Sequence, residues 1–163
     1  MKKLSILAAT LILSATAGAA QAQILNQRTV GLELANRIAA GTVKACADKG
    51  YAVTATVVDR AGLVRAMQRA DNAGPHTLAA SQAKAYTAAS ARNTTSAMLE
   101  TSQKNPGAAT LGDIPGFLVL GGGVPVKAGD EVIGAVGVGG APAGHLDEQC
   151  AVAGIEGAAD LLK

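Results

Sequence analysis

The alternation of apolar and polar residues divides the first half of the chain into one helix and two strands. Between residues 29 and 49 apolar positions recur every four residues and Gly50 follows, which predicts an amphipathic helix that ends at this glycine. Residues 53–59 are rich in Val and Thr, and residues 63–70 alternate more loosely. The turn between these two segments contains glycine, so together they predict a β-hairpin.

The middle of the chain predicts two helices. Residues 71–76 are dense in turn formers, and Thr77 stands where it can cap a helix that runs to about residue 92. Alanine dominates this helix, which favours helix formation and lets a neighbouring element approach closely. A shorter helix is predicted over residues 96–103, because a proline follows it, and residues 107–115 read as a loop.

The last third predicts three short strands and a closing helix. The strands cover residues 117–120, 124–127 and 132–138, and the helix runs from about residue 146 to 162. The element order is therefore α-β-β-α-α-β-β-β-α, in a single domain. Antiparallel pairing is favoured because the strands cluster in hairpins, so the predicted class is α+β.

The N-terminus has the pattern of a secretory signal peptide over residues 1–22. Two lysines precede an apolar stretch over residues 4–13, and small residues lead to Ala20-Gln21-Ala22. We therefore expect the mature chain to begin near Gln23 and to be periplasmic or secreted. The apolar stretch is about half the length of a membrane-spanning helix, so we expect no membrane anchor.

The mature chain has no excess of basic residues that could bind a polyanion. Once the two signal lysines are removed, 12 basic residues face 12 acidic ones, and the chain has one Phe, two Tyr and no Trp. Nucleic-acid binders need basic patches for phosphates and aromatic platforms for bases. We therefore expect no nucleic-acid partner.

The glycine-rich segments do not carry a nucleotide-binding or hydrolase motif. G-x-G-x-x-G is absent, and the triple glycine at 121–123 leads into a strand, whereas a phosphate-binding loop leads into a helix. G-x-S-x-G and the short zinc-protease motifs are also absent. Glycine in this setting more commonly allows bulges and close backbone approach in a sheet.

Two histidines lie where the chain turns into predicted helices. His76 precedes the alanine-rich helix, and His145 precedes the closing helix and is followed by Asp147 and Glu148. A helix N-terminus attracts anions and favours neutral imidazole, which is the form that ligates metals. The two carboxylates also have a simpler role, since acidic residues in the first turn stabilise a helix by about 0.3–1 kcal/mol.

Several segments in order resemble the GlcG/HbpS-like family, also called the haem-degrading or PduO C-terminal-like domain. The resemblance spans roughly residues 25–162, and it implies a profilin-like fold with a five-stranded antiparallel sheet and helices on both faces. It also implies symmetric homo-oligomers, for which we expect twofold contacts. The segments that carry the resemblance are VVDRAG at 57–62, RADNA at 69–73, QAKAYTA at 82–88, GGGVPV at 121–126 and GAVGVGG at 134–140, followed by Asp147-Glu148 and Ala153-Gly154.

The implied fold also bears on the two cysteines of the mature chain, Cys46 and Cys150. Their number and spacing do not fit a C-x-x-C or zinc-ribbon site, so the residues alone leave a disulfide or two buried thiols open. In the implied fold the first and last helices can share one face of the sheet. That arrangement would bring the cysteines near each other.

Several members of this family bind haem or related tetrapyrroles, so the resemblance implies an exported binding protein for haem or a similar anionic ligand. Two alternatives stay open: an enzyme acting on a small carboxylate-bearing metabolite, and an oligomeric module for a membrane-bound partner. We expect His76 to matter more than His145 for haem, because Gly74-Pro75 stiffens the turn before it. The candidate ligand-binding residues are Asp71, His76, Lys84, Gly122, Gly123 and His145, and the candidate metal ligands are His76, His145, Asp147 and Glu148.

Overall fold

The computed structural model describes residues 25–163. The predicted signal peptide over residues 1–22 and the predicted start of the mature chain at Gln23 lie outside the described residues. Within residues 25–163, none of the helices has the length and apolar character needed to cross a membrane.

The described residues form an α+β fold of four helices and four strands, together with three short 3₁₀ turns. Most elements lie close to the ranges predicted from the sequence. The helices and strands are α1 (Leu32–Ala47), β1 (Thr54–Asp59), β2 (Val64–Arg69), α2 (His76–Ala91), α3 (Thr95–Lys104), β3 (Gly123–Ala128), β4 (Glu131–Gly139) and α4 (Gly144–Glu156).

The four strands form one antiparallel sheet in the order β2-β1-β4-β3. The sheet consists of two hairpins, β1–β2 and β3–β4. They meet where β1 pairs with β4 in the middle of the sheet, from Thr54 opposite Gly139 to Asp59 opposite Gly134. Each hairpin contains one register shift, at Val57/Val58 in the first and at Val126/Lys127 in the second. The central pair β1–β4 has no such shift, so it gives the sheet a regular middle.

The expected five-stranded sheet was wrong, because residues 117–120 do not form a strand. Their backbone groups bond to side chains on helices and to nearby carbonyls of the same segment, and not to a neighbouring strand. The Leu118 N–H donates to the Thr87 hydroxyl at 2.8 Å, and the Leu120 carbonyl accepts from the Thr95 hydroxyl at 2.7 Å. The segment therefore lies against α2 and α3, and β3 remains an edge strand.

The helix boundaries differ from the predictions by a few residues. The helix α2 begins at His76, one residue before the predicted cap. The Thr77 hydroxyl donates to the Gly74 carbonyl at 2.6 Å and bonds the Thr54 hydroxyl at 2.7 Å, so it links α2 to β1. At the end of α1, Gly50 has φ +80°, which is the left-handed conformation expected of a glycine that closes a helix.

One face of the sheet is covered by α1 and α4 and holds most of the branched aliphatic residues, and we call it the valine face. The helices pack on each other and on all four strands. Burial of such side chains is the largest favourable contribution to folding. Its fully buried members include Val30, Ile38, Val53, Val57, Val126, Val136 and Val138.

A disulfide between Cys46 and Cys150 joins α1 to α4 on the valine face, with Cα atoms 5.4 Å apart. Both cysteines are fully buried. The structure therefore decides between the two alternatives left open by the sequence in favour of the bridge. It also confirms that the first and last helices lie side by side.

The opposite face of the sheet is covered by α2, and we call it the alanine face. Its apolar members are Val58 and four alanines, three of them on α2. A Cβ atom added at Gly137 would stand 3.0 Å from the Ala85 Cα and closer still to other backbone atoms of α2. The alanine-rich helix α2 thus packs closely against β4, which has a glycine at the point of contact. The alanine content of α2 predicts such a close approach.

Candidate functional site

A buried ion pair lies at the edge of the alanine face. Lys84 and Asp147 are each 2% exposed, and the Lys84 ammonium donates to Asp147 Oδ2 at 2.8 Å. Lys84 faces the sheet because it falls on the same helical stripe as Thr77 and Ser81, at the spacing that places residues on one side of a helix. Asp147 lies in the first turn of α4, where a carboxylate is also favoured by the helix dipole.

Further hydrogen bonds of this pair reach two other segments. The Lys84 ammonium donates to the Val138 carbonyl at 2.8 Å, near the end of β4. The second carboxylate oxygen of Asp147 accepts from the Ala141 backbone N–H at 3.0 Å. The pair therefore links α2, β4 and α4 to residues 140–143, which we call the pocket loop.

The electrostatics of the pair are set by its burial. Removal from water raises the pKa of Asp147 above its ordinary value of 3.8, while the hydrogen bond and charge of Lys84 and the Ala141 N–H oppose that rise. Breaking such a pair on one side leaves an uncompensated buried charge. The charge of Lys84 is thus neutralised by the Asp147 carboxylate. The pair has no net positive charge that could attract a small carboxylate ligand.

The two candidate glycines, Gly122 and Gly123, pack against this pair and its helix. Gly122 has φ +120°, and a Cβ added there would stand 2.8 Å from the Asp147 Cβ and 3.0 Å from the Lys84 Nζ. A Cβ at Gly123 would collide with the Lys84 backbone. Both glycines are buried, so their evident role is to let β3 approach the ion pair closely.

The ion pair lies at the inner end of a pocket of about 290 Å³ that we call the His76 pocket. Ala80 and Lys84 of α2 line it together with the pocket loop. His76 lines the same pocket but is itself exposed, and its ring lies close against Gly74. Leu120 adds an exposed apolar side chain, so an imidazole and small apolar groups surround a buried polar inner end.

The other histidine lines a separate cavity of about 440 Å³, the His145 pocket, on the outer side of α4. Glu148 and Glu156 line it together with Lys49, whose ammonium bonds Gln149 Oε1 at 3.1 Å. His145 is exposed there. The pocket therefore carries two carboxylates, which would repel the propionates of a haem.

The four candidate metal ligands are not brought together. His76 and Asp147 line the first pocket, whereas His145 and Glu148 line the second, and Asp147 is occupied by Lys84 and Ala141. Residues 25–163 contain no group of three or more His, Cys, Asp or Glu side chains that could hold a metal ion. Within the first turn of α4, Asp147 lines a different pocket from His145 and Glu148, because neighbouring positions of a helix point to different sides.

Asp71 was predicted from the sequence to bind ligand but lies outside the pocket, whereas the Lys84–Asp147 ion pair lines the pocket but was not predicted. Asp71 is exposed in the turn after β2 and does not line the His76 pocket. The pairing of Lys84 with Asp147 was not foreseen, since the residues are 63 positions apart. One feature of the sequence could have indicated an ion pair. Lys84 lies on the helical stripe of α2 that is buried, and a buried lysine needs an acidic partner.

Comparison with solved structures places this geometry among similar proteins. A double mutant of HbpS from Streptomyces reticuli is 37% identical, with a TM-score of 0.77, over 91% of this chain and 97% of that chain. The protein ORFY from Klebsiella pneumoniae is 28% identical, with a TM-score of 0.79, over 85% of this chain and 96% of that chain.

A more distant structure shares the fold alone. The PduOC:Heme complex is 19% identical, with a TM-score of 0.70, over 79% of this chain and 94% of that chain. No curated protein matches the chain.

The family comparison agrees with the segments that first suggested a resemblance. The family described as haem degrading protein HbpS-like matches residues 30–156, which is most of the chain and contains both pockets and the ion pair. The chain therefore belongs to the HbpS-like family of haem-degrading proteins.

Proposed function

We propose that this chain is an exported protein that binds haem or a related tetrapyrrole at the His76 pocket. The observation that carries the proposal is the exposed imidazole of His76 beside a preformed pocket, in a chain of the HbpS-like family. Neutral imidazole is a common axial ligand of haem iron. When bound, the haem would supply the iron and its redox chemistry, and the protein would supply the ligand and the surroundings.

The residues around His76 fit one edge of a planar ligand. Leu120, Ala80 and the small residues of the pocket loop offer apolar contact, and aromatic side chains are absent from the lining. The volume of about 290 Å³ is just below the range of small-molecule pockets, roughly 300–1,000 Å³. His76 would hold the iron, and Leu120, Ala80 and the pocket loop would contact the ligand.

His76 is preferred to His145 on charge and on stiffness. Glu148 and Glu156 outnumber the one ammonium, Lys49, in the lining of the His145 pocket, whereas the one carboxylate of the His76 pocket is neutralised by Lys84. His76 also follows Pro75, whose fixed φ lowers the ordering cost of binding. We therefore propose His76 as the iron ligand.

The experiment is a haemin titration of the unaltered protein, His76→Ala and His145→Ala, followed by the position of the Soret band. We expect a shifted band in the unaltered protein and in His145→Ala, and a lost or displaced band in His76→Ala. An unchanged band and affinity in His76→Ala would remove His76 from the site. If the unaltered protein shows no shift, the haem proposal fails.

Export is supported by the disulfide between Cys46 and Cys150, because disulfides persist in oxidising compartments and are rare in the cytosol. We propose that the mature chain begins near Gln23 and reaches the periplasm or the medium. Intact-mass analysis of exported protein tests this, and retention of Met1 would contradict it. Symmetric self-association with twofold contacts stays a prediction, which light scattering would test at micromolar concentration.

A further inference from the structure

The pocket loop connects β4 to α4, and among the described residues one side chain, that of Asp147, hydrogen-bonds its backbone. Within the described part of the chain, the Ala141 N–H is the one hydrogen-bonding group of residues 140–142 that has a partner, and that partner is Asp147. Gly140 has φ +131° and packs against Val53, so the loop leaves the sheet in a conformation that favours glycine. Beyond that point the loop is held in three ways. The Asp147 carboxylate accepts from the Ala141 N–H, the partly buried Ala141 side chain packs on the core of the valine face, and the Ala143 carbonyl accepts from two backbone N–H groups in the first turn of α4.

The same carboxylate is fixed from the other side by α2. Lys84 holds Asp147 Oδ2 at 2.8 Å and the Val138 carbonyl at 2.8 Å, and the close approach of Gly122 leaves the pair little room to move. The chain of contacts therefore runs from α2 through Lys84 and Asp147 to Ala141. Lys84, Ala141 and Asp147 all line the His76 pocket.

A contribution to stability does not by itself explain this arrangement. Replacing a buried ion pair with apolar residues of similar volume is often neutral or stabilising. An apolar pair, however, would offer no acceptor to the Ala141 N–H, and the loop would lose this hydrogen bond. The geometry favours a role in placing the loop.

We infer that Lys84 and Asp147 are positioning residues that hold the pocket loop in place beside the His76 pocket and thereby set the affinity of the pocket for its ligand. For the ligand this inference rests on the proposed function. The placement of the loop itself does not depend on the ligand, and it is measured separately below.

Two double variants separate the hydrogen bond to Ala141 from the charge. Lys84→Met with Asp147→Asn removes both charges but keeps a side-chain oxygen that accepts from Ala141. Lys84→Met with Asp147→Leu removes both charges and the acceptor. Because Gly122 leaves little space near position 147, Lys84→Met with Asp147→Ala is a second variant without the acceptor.

The matched control is the exposed pair of Lys44 and Asp48 on the outer surface of α1, whose atoms also approach to 2.7 Å. Exposed pairs of this kind contribute about 0–1 kcal/mol. Lys44→Met with Asp48→Leu removes an ion pair of similar length without touching the pocket, so it should alter neither measurement.

The first measurement is hydrogen exchange at the Ala141 amide. We expect the Asn double variant to keep the protection of the unaltered protein and the Leu and Ala double variants to lose it. The second is haemin affinity, where we expect the variants without the acceptor to bind about tenfold more weakly, as is typical when a supporting partner is lost. The Asn double variant should bind nearly as the unaltered protein does.

Equal Ala141 protection in the Asn and Leu double variants would overturn the positioning role, whatever the ligand. Equal haemin affinity in these variants, with binding by the unaltered protein intact, would overturn the effect on the ligand. If the unaltered protein does not bind haemin, the proposed function fails, and the exchange measurement alone decides the placement of the loop.

Discussion

The two faces of the sheet are built from different side chains and serve different ends. The valine face packs branched aliphatic residues between α1, α4 and the strands, and a disulfide fastens its helices. The alanine face brings α2 so close to the sheet that its contacts are glycine, alanine and paired hydroxyls, such as Thr56 with Ser81 at 2.7 Å. The buried ion pair and the His76 pocket belong to this second face.

The two faces should differ in which substitutions they tolerate. A face that is stabilised by apolar area loses free energy in proportion to the atoms removed, and it relaxes around small changes. A face that is stabilised by close backbone approach has no room for an added atom, and its polar groups need their partners. We therefore expect removal of atoms to be costly on the valine face and addition of atoms to be costly on the alanine face.

The largest effect is expected from the disulfide of the valine face. A bridge between residues 104 positions apart contributes up to about 4–5 kcal/mol in the chain-entropy model. Cys46→Ala with Cys150→Ala should lower the free energy of unfolding in urea by an amount of this order. A free-thiol count of two in the unfolded, unreduced protein would show that the bridge is absent.

A comparable or somewhat smaller loss is expected when atoms are removed from the same face. Ile38 is fully buried between α1 and the sheet, so Ile38→Ala should cost about 2–5 kcal/mol. Val152, on the outer side of α4, is 40% exposed and provides the control, because Val152→Ala should cost much less. Equal losses in urea unfolding would contradict the assignment of the core to this face.

On the alanine face the sensitive change is an added methyl group. Gly137→Ala would place its Cβ against the backbone of α2, and we expect a loss of about 1–3 kcal/mol from overpacking. Gly112 has open space around its Cα, so Gly112→Ala serves as the matched control and should be nearly neutral. If both variants unfold at the same urea concentration as the unaltered protein, the close packing of α2 is not rigid.

The smallest effect concerns the pH dependence of the alanine face. Because burial raises the pKa of Asp147 above 3.8, the folded protein binds this proton more tightly than the unfolded chain does. The contribution of this group to stability should therefore decrease as the pH rises through the window just above 3.8, and it should recover as the pH falls.

The comparison that isolates this slope is Lys84→Met with Asp147→Leu, which has no carboxyl at position 147. Glu100 and Asp160 have lowered pKa values because of Lys104 and Arg37, so they act in the opposite direction, but they are present in both proteins. Subtracting the two pH profiles of unfolding free energy removes them. The unfolding free energy of the unaltered protein minus that of the variant should fall as the pH rises through this window. A difference that rises would contradict a raised pKa of Asp147.

The sequence was sufficient for the elements whose signals are local. The four-residue spacing in α1, the glycine after it and the Val- and Thr-rich strand β1 predicted these elements within a few residues. The fifth strand failed for a non-local reason. Residues 117–120 have the apolar character of a strand, but Thr87 and Thr95 on two helices bind their backbone.

The site was predicted less completely than the fold. His76 and Lys84 do line one pocket, and the glycines do allow close approach. The separation of His145 from His76 and the pairing of Asp147 with Lys84 depend on how α4 is rotated against α2. No periodicity within either helix encodes that rotation, since it follows from the packing of both helices on the sheet.

The bridge between α1 and α4 has a mechanical consequence. All four strands lie between Cys46 and Cys150, so a pulling force applied at residues 25 and 163 would pass through the sulfur–sulfur bond and leave the sheet unloaded. Stretching should release only the segments outside the bridge, an extension on the order of 100 Å at about 3.4 Å per residue. After reduction the same force would reach the sheet, and single-molecule traces should lengthen several-fold.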